Sequence, residues 1–201
     1  MSDGKTGDEP IMFAGVPIGY TLRDFWSWNS SDLLDNVLRG QYSEFIVAAA
    51  LNLDLRCTRK NWEPWDLVYC FNLAENDEEP VEVHIEVKSS SYLQAWEQSK
   101  LSKIVFSIRP TRMWETKNGY SDTAERRSDV YVFCLYAETD LDKVDPLDLG
   151  KWEFYVIPTA KLNERCGTQK DITLSSLEKL DPIKTDFLGI KSAVCRCFAD
   201  R

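Results

Sequence analysis

Glu86 and Lys88 stand two residues apart in the segment IEVKS, residues 85–89. On a strand their side chains leave the same face, about 6–7 Å apart at a rise of ~3.3 Å per residue. An acid and an amine then look onto one site. Asp66 lies upstream between Trp65 and Leu67, and if its strand pairs with that of Glu86 the three groups converge. Carboxylates are hard oxygen ligands suited to Mg²⁺, with Mn²⁺ as a substitute, and a divalent cation can neutralise phosphoryl charge while a neighbouring amine orients the attacking water. The set points to phosphodiester hydrolysis. The spacing of Glu86 and Lys88 alone is weaker, because exposed strand faces commonly carry solvated ion pairs.

The elements that must position these residues are legible in part. Val81, Val83, Ile85 and Val87 alternate with Glu82, His84, Glu86 and Lys88, a period-2 pattern that puts one face on the core and a polar row on the other. Residues 64–71 (PWDLVYCF) read as the preceding strand, with NLAENDEEP as the hairpin connection. Ahead of them DLLDNVL reads as a short helix ending at Gly40, and QYSEFIVAAALNL as a second helix. That second helix would bury Tyr42, Phe45, Ile46, Ala49 and Leu53 on one face and carry Glu44 on its flank. Tyr92, Leu93, Trp96 and Leu101 fit a helix after the polar strand, and residues 104–108, 130–137 and 152–157 read as further strands. A last helix falls at 174–180.

Asp66, a hairpin of about twenty residues and then Glu86-Val87-Lys88 resemble the PD-(D/E)XK motif of restriction-endonuclease-like nucleases, with Trp65 at the place of the proline. The stretches RGQYSEFIVAAALNL, EPWDLVY, IEVKSSSYLQAW and RRSDVYVF are similar to those of small prokaryotic members of that superfamily. The resemblance runs from Arg39 to about Ile157. It implies an α/β fold with a restriction-endonuclease-like core, a mixed central β-sheet flanked by helices in the order α-β-β-β-α-β, the first strand falling near 55–59. It also implies Asp66, Glu86 and the Val87 carbonyl as metal ligands, Glu44 holding the metal directly or through a water, and Lys88 positioning the attacking water. Gln94 resembles a polar residue that approaches the site in several branches, and His84 shares the polar row.

The chain is acidic, 24 Lys+Arg against 33 Asp+Glu, so it does not hold nucleic acid by bulk charge. Contact with DNA, the expected partner, must come from a local patch. Lys100, Lys103, Arg109, Arg112, Lys117, Arg126 and Arg127 supply one, and Trp62 or Trp114 could stack on a base. Asp129 reads as a strand-start residue. The first ten residues are polar and read as a disordered tail, with one domain over 11–201 and 43% apolar residues to fill its core. No apolar run is long enough for a membrane span, and six cysteines without a CxxC pair fit reduced thiols of a cytoplasmic protein. Relatives that cut duplexes often act as pairs, which leaves room for a homodimer. The rival expectation is a catalytically silent nucleic-acid- or protein-binding module on the same fold.

Overall fold

A computed structural model describes residues 4–56, 63–72, 80–112, 114–115 and 119–199. Strands β1 (Pro10–Phe13) and β2 (Val16–Thr21) form a hairpin that runs into helix α1 (Leu22–Ser30), followed by helix α2 (Asn36–Ala50). Strands β3 (Leu67–Phe71) and β4 (Val81–Ser91) come next. Strand β5 (Val105–Ser107) and the short pair β6 (Trp114–Glu115) and β7 (Gly119–Tyr120) lead to β8 (Val130–Tyr136) and β9 (Trp152–Pro158). Helix α3 (Thr159–Cys166), strand β10 (Asp171–Thr173), helix α4 (Leu174–Glu178), strand β11 (Ile183–Thr185) and helix α5 (Ile190–Ala199) complete the chain.

The fold is mixed α/β around a five-stranded sheet in the order β11-β9-β8-β4-β3. β4 pairs antiparallel with β3 and parallel with β8, so the sheet is mixed. Alternation along β4 divides the interior in two. Val83, Ile85 and Val87 join Val130, Val132, Phe154 and the buried residues of α2 and α5 in one core. Tyr131, Phe133, Leu135 and Ile157, on the other face, join Phe106, Leu162 and Leu177 in a second. β8 is buried along its whole length because both faces are covered.

Several expected elements differ. One helix, α2, replaces the two expected around Gly40. Asp35 starts it by accepting the N–H groups of Val37 and Leu38 at 2.9 and 3.1 Å, and Gly40 is carried inside at a cost of about 1 kcal/mol. Its buried face is Arg39, Ser43, Glu44, Ile46, Val47 and Ala48, rotated from the one expected, and Phe45 is half exposed. The helix expected over 92–101 is irregular chain instead. There the Gln98 side chain accepts the Gln94 N–H at 2.8 Å and donates to Ser102 Oγ at 2.9 Å, local bonds that compete with a helical ladder. The crossover between the parallel strands β4 and β8 therefore has no helix among its described residues.

Residues 4–9, assigned to a disordered tail from sequence, lie on α1: the N–H groups of Leu22 and Arg23 donate to the carbonyls of Glu9 and Gly7 at 2.9 and 2.8 Å. Gly7 is buried there at φ +96°, where a Cβ would come within 2.9 Å of the Trp26 ring. The strand expected at 55–59 begins as a turn at 55–56, and its remainder lies outside the described residues, as does most of the hairpin connection. Among the described residues, no helix is long and apolar enough to cross a membrane.

Candidate active site

The site lies where the pairing of β3 with β4 stops. The first paired residue of β3 is Leu67, opposite Ile85. Beyond it, residues 86–91 of β4 run beside β8 alone. Asp66 closes the end of the pairing in two ways. Its N–H donates to the Ile85 carbonyl at 3.0 Å, and its Oδ2 accepts the Val87 N–H at 2.8 Å. That N–H would otherwise lack a strand partner, so the carboxylate is fixed beside Glu86 by the backbone itself.

Glu86 and Lys88 project from the same face, as the period predicts, and the Lys88 Nζ donates to Glu86 Oε1. Both side chains are largely buried, against the second core. Burial is the chief influence on Glu86 and pushes its carboxyl above the usual range. Lys88 opposes the shift, while the neighbouring charges of Asp66 and then Glu44 add to it. α2 packs on the Val83–Ile85–Val87 face, opposite the Glu86 row, so Glu44 lies on the helix side of the sheet, across from Glu86. It is buried, and its charge bears on Glu86.

Sequence reasoning missed Tyr131. It pairs in register with Glu86, is buried, and has its hydroxyl pKa raised first by burial and then by Glu86. It forms the floor beside the carboxylate. The sequence offers only that Tyr131 stands near the start of a strand; the parallel register that sets it beside Glu86 is seen in the structure alone.

His84 stacks on Trp65, with ring centroids 3.7 Å apart. Asp129 holds this end of β4, its Oδ2 accepting the His84 backbone N–H at 2.9 Å and lying 3.5 Å from the imidazole Nδ1. Gln94 is held by β4 and α2: its Nε2 donates to the Ser91 carbonyl at 2.8 Å, and its Oε1 is 3.4 Å from the buried Arg39 guanidinium. It braces α2 against the end of β4.

Among the basic residues expected to meet phosphate, Arg126 is corrected. It is buried, with Nε donating to the Ile108 carbonyl at 2.6 Å and Nη1 to Asn163 Oδ1 and the Gly167 carbonyl, both at 2.8 Å. Its Nη2 donates to the Gln169 carbonyl at 3.1 Å. Four of its five N–H groups are engaged inside the protein. Arg127 is half-buried beside Glu125 and Ser121. Lys100, Lys103, Arg109 and Arg112 are exposed. Lys103 and Arg109 flank β5 on its outer face, while Ile104, Phe106 and Ile108 point inward. Lys117, Trp62 and the Trp114 side chain lie outside the described residues.

Among the described residues no three His, Cys, Asp or Glu side chains stand together as a metal cage. Mg²⁺ asks for less, since it keeps several waters and takes one or two carboxylates. Asp66, Glu86 and the Val87 carbonyl are an all-oxygen set of that kind. The upward shift of Glu86 comes first from its burial, and a divalent cation beside it would favour the charged carboxylate. The donor set fits such an ion. No family model, curated protein or solved structure matches this chain.

Proposed function

We propose that this chain is a Mg²⁺-dependent nuclease that hydrolyses phosphodiester bonds of DNA, on a restriction-endonuclease-like core of the PD-(D/E)XK type. The observation that carries the reading is the placement of Asp66, Glu86 and Lys88 at one point of the sheet, with Asp66 locked to the Val87 N–H and the charge of Glu44 bearing on Glu86. Asp66, Glu86 and the Val87 carbonyl would hold the ion, while Glu44, on the helix side of the sheet, bears on Glu86 through its charge. When bound, the ion supplies neutralisation of the phosphoryl oxygens and polarisation of water.

The protein's own groups do the rest. Lys88, held by Glu86, orients the attacking water and steadies the negative charge that develops on the phosphate. Asp66 keeps the end of β3 closed on β4, so that the carboxylates stay at a fixed separation. Lys100, Lys103, Arg109 and Arg112 lie on the exposed crossover between β4 and β8, where they can meet the flanking backbone phosphates. A cytoplasmic role in restriction, defence or repair is consistent with this chemistry.

The test is incubation with plasmid, linear and single-stranded DNA and with RNA, in Mg²⁺ or Mn²⁺, of the wild type and of Asp66→Ala, Glu86→Ala and Lys88→Ala. Cleavage should fall by at least about a hundredfold in each variant. Cleavage that persists unchanged in all three identifies a contaminant. Metal or DNA binding by the wild type without turnover identifies a binding module.

A further inference from the structure

The β1–β2 hairpin and α1 together present an apolar surface that the other described residues do not cover. No residue of the three elements is buried, and both faces of the hairpin are open along nearly all its length. Phe13, Val16, Tyr20 and Trp28 are 76, 64, 61 and 83% exposed, and Ile18 and Trp26 are exposed beside them. A two-stranded hairpin is at best marginal without further packing.

The size of this surface is informative. An aromatic side chain offers ~150–250 Å² when fully exposed, so the apolar residues of 10–30 together present on the order of 900 Å². A standard stable interface takes about 800 Å² from each partner.

The charge decides between occupants. Residues 10–30 hold two charged side chains, Arg23 and Asp24. Arg23 is paired with Asp8 at 2.5 Å, and Asp24 accepts the Thr21 N–H at 2.7 Å in the cap of α1. Both are engaged in local contacts. A nucleic acid or an anionic membrane would require cations on this surface, and the chain as a whole carries a net charge of −9. A neutral patch is what two equally anionic copies can bring together, and a twofold axis sets the same patch on both sides.

We propose that residues 10–30 are a dimerisation arm that docks on the same arm of a second copy of this chain. This stands independently of the nuclease reading, because no residue of the site takes part. Because Phe13 and Trp28 are exposed, replacing them removes little from the folded monomer.

The experiment is sedimentation velocity of the full chain from low to high micromolar concentration, with Phe13→Glu, Trp28→Glu and Phe13→Leu alongside. The wild type and Phe13→Leu should sediment as dimers. Each glutamate variant should weaken the dimer by at least about tenfold, with unchanged circular dichroism and melting temperature. A wild type that remains monomeric at the highest concentration overturns the proposal. So does a dimer indifferent to both glutamates, or a monomer that floats with phosphatidylcholine vesicles.

Discussion

Arg126→Ala separates a structural arginine from a nucleic-acid contact. The guanidinium joins the carbonyl of Ile108, which follows β5, to Asn163 in α3 and to the Gly167 and Gln169 carbonyls after it. Each bond from a charged donor contributes about 1.5–3 kcal/mol, and a plain sum overstates the loss because water and relaxation recover part of it. We expect a net destabilisation of ~3–4 kcal/mol, at the upper end for a single substitution. For a chain of this size 1 kcal/mol is roughly 2–4 °C in Tm, which gives a fall of roughly 6–16 °C. Thermal unfolding followed by circular dichroism measures this, and DNA affinity is read at a temperature where both proteins are folded. Arg126→Lys should recover only part of the loss, since an ammonium cannot reach four separated acceptors. A melting temperature within a degree or two of wild type, together with weakened DNA binding, would refute the clamp.

Arg109→Ala and Arg112→Ala should behave in the opposite way, leaving Tm unchanged while each lowers the salt slope of DNA binding by about one. Glu86→Gln should abolish cleavage in Mg²⁺ and, measured without divalent cations, raise stability at neutral pH by ~1 kcal/mol. The sign follows from the upward shift of Glu86: as pH rises from the ordinary carboxylate value through the folded one, the native state keeps a proton the unfolded chain has lost, so stability declines across that window. Urea titrations on the acid and neutral sides of that window should show the decline in wild type and its loss in the variant. Gly40→Ala should stabilise by about 1 kcal/mol, because the added methyl meets nothing within 4 Å and the helix interior gains propensity; a neutral or negative change in urea midpoint would count against an uninterrupted α2.

The hairpin of β3 and β4 was readable because strict alternation of apolar and polar residues fixes both faces at once, and the register then brings Asp66 to Val87. Strands β8 and β9 were readable for a related reason, being rich in β-branched and aromatic residues. α2 was harder. Its composition is apolar on nearly every side, so the sequence does not say that Arg39, Ser43 and Glu44 turn inward while Phe45 turns out. Arg126 and Arg127 are neighbours with the same chemistry, and only tertiary acceptors from residues 163–169 distinguish the first as internal. The irregular chain after β4 was obscured because the bonds of Gln98 override an otherwise helical spacing. Ahead of the arm, Gly7 and the polar residues around it look unstructured in sequence, whereas Gly7 lies against Trp26.

The end of the β3–β4 pairing also bears on how the protein comes into being. Asp66, Glu86 and Lys88 are brought together by neighbouring strands of one hairpin, a local contact that can form while the chain is still being made. Their surroundings arrive much later: β8 supplies Tyr131, three of the four acceptors of Arg126 lie beyond residue 160, and α5 closes the first core at the far end of the described chain. A ribosome-bound intermediate ending before β8 would therefore hold the three reactive groups in register but in water. The burial that chiefly raises the Glu86 carboxyl would then be missing. The last third of the chain thus delays the mature electrostatics of the site until synthesis is nearly done.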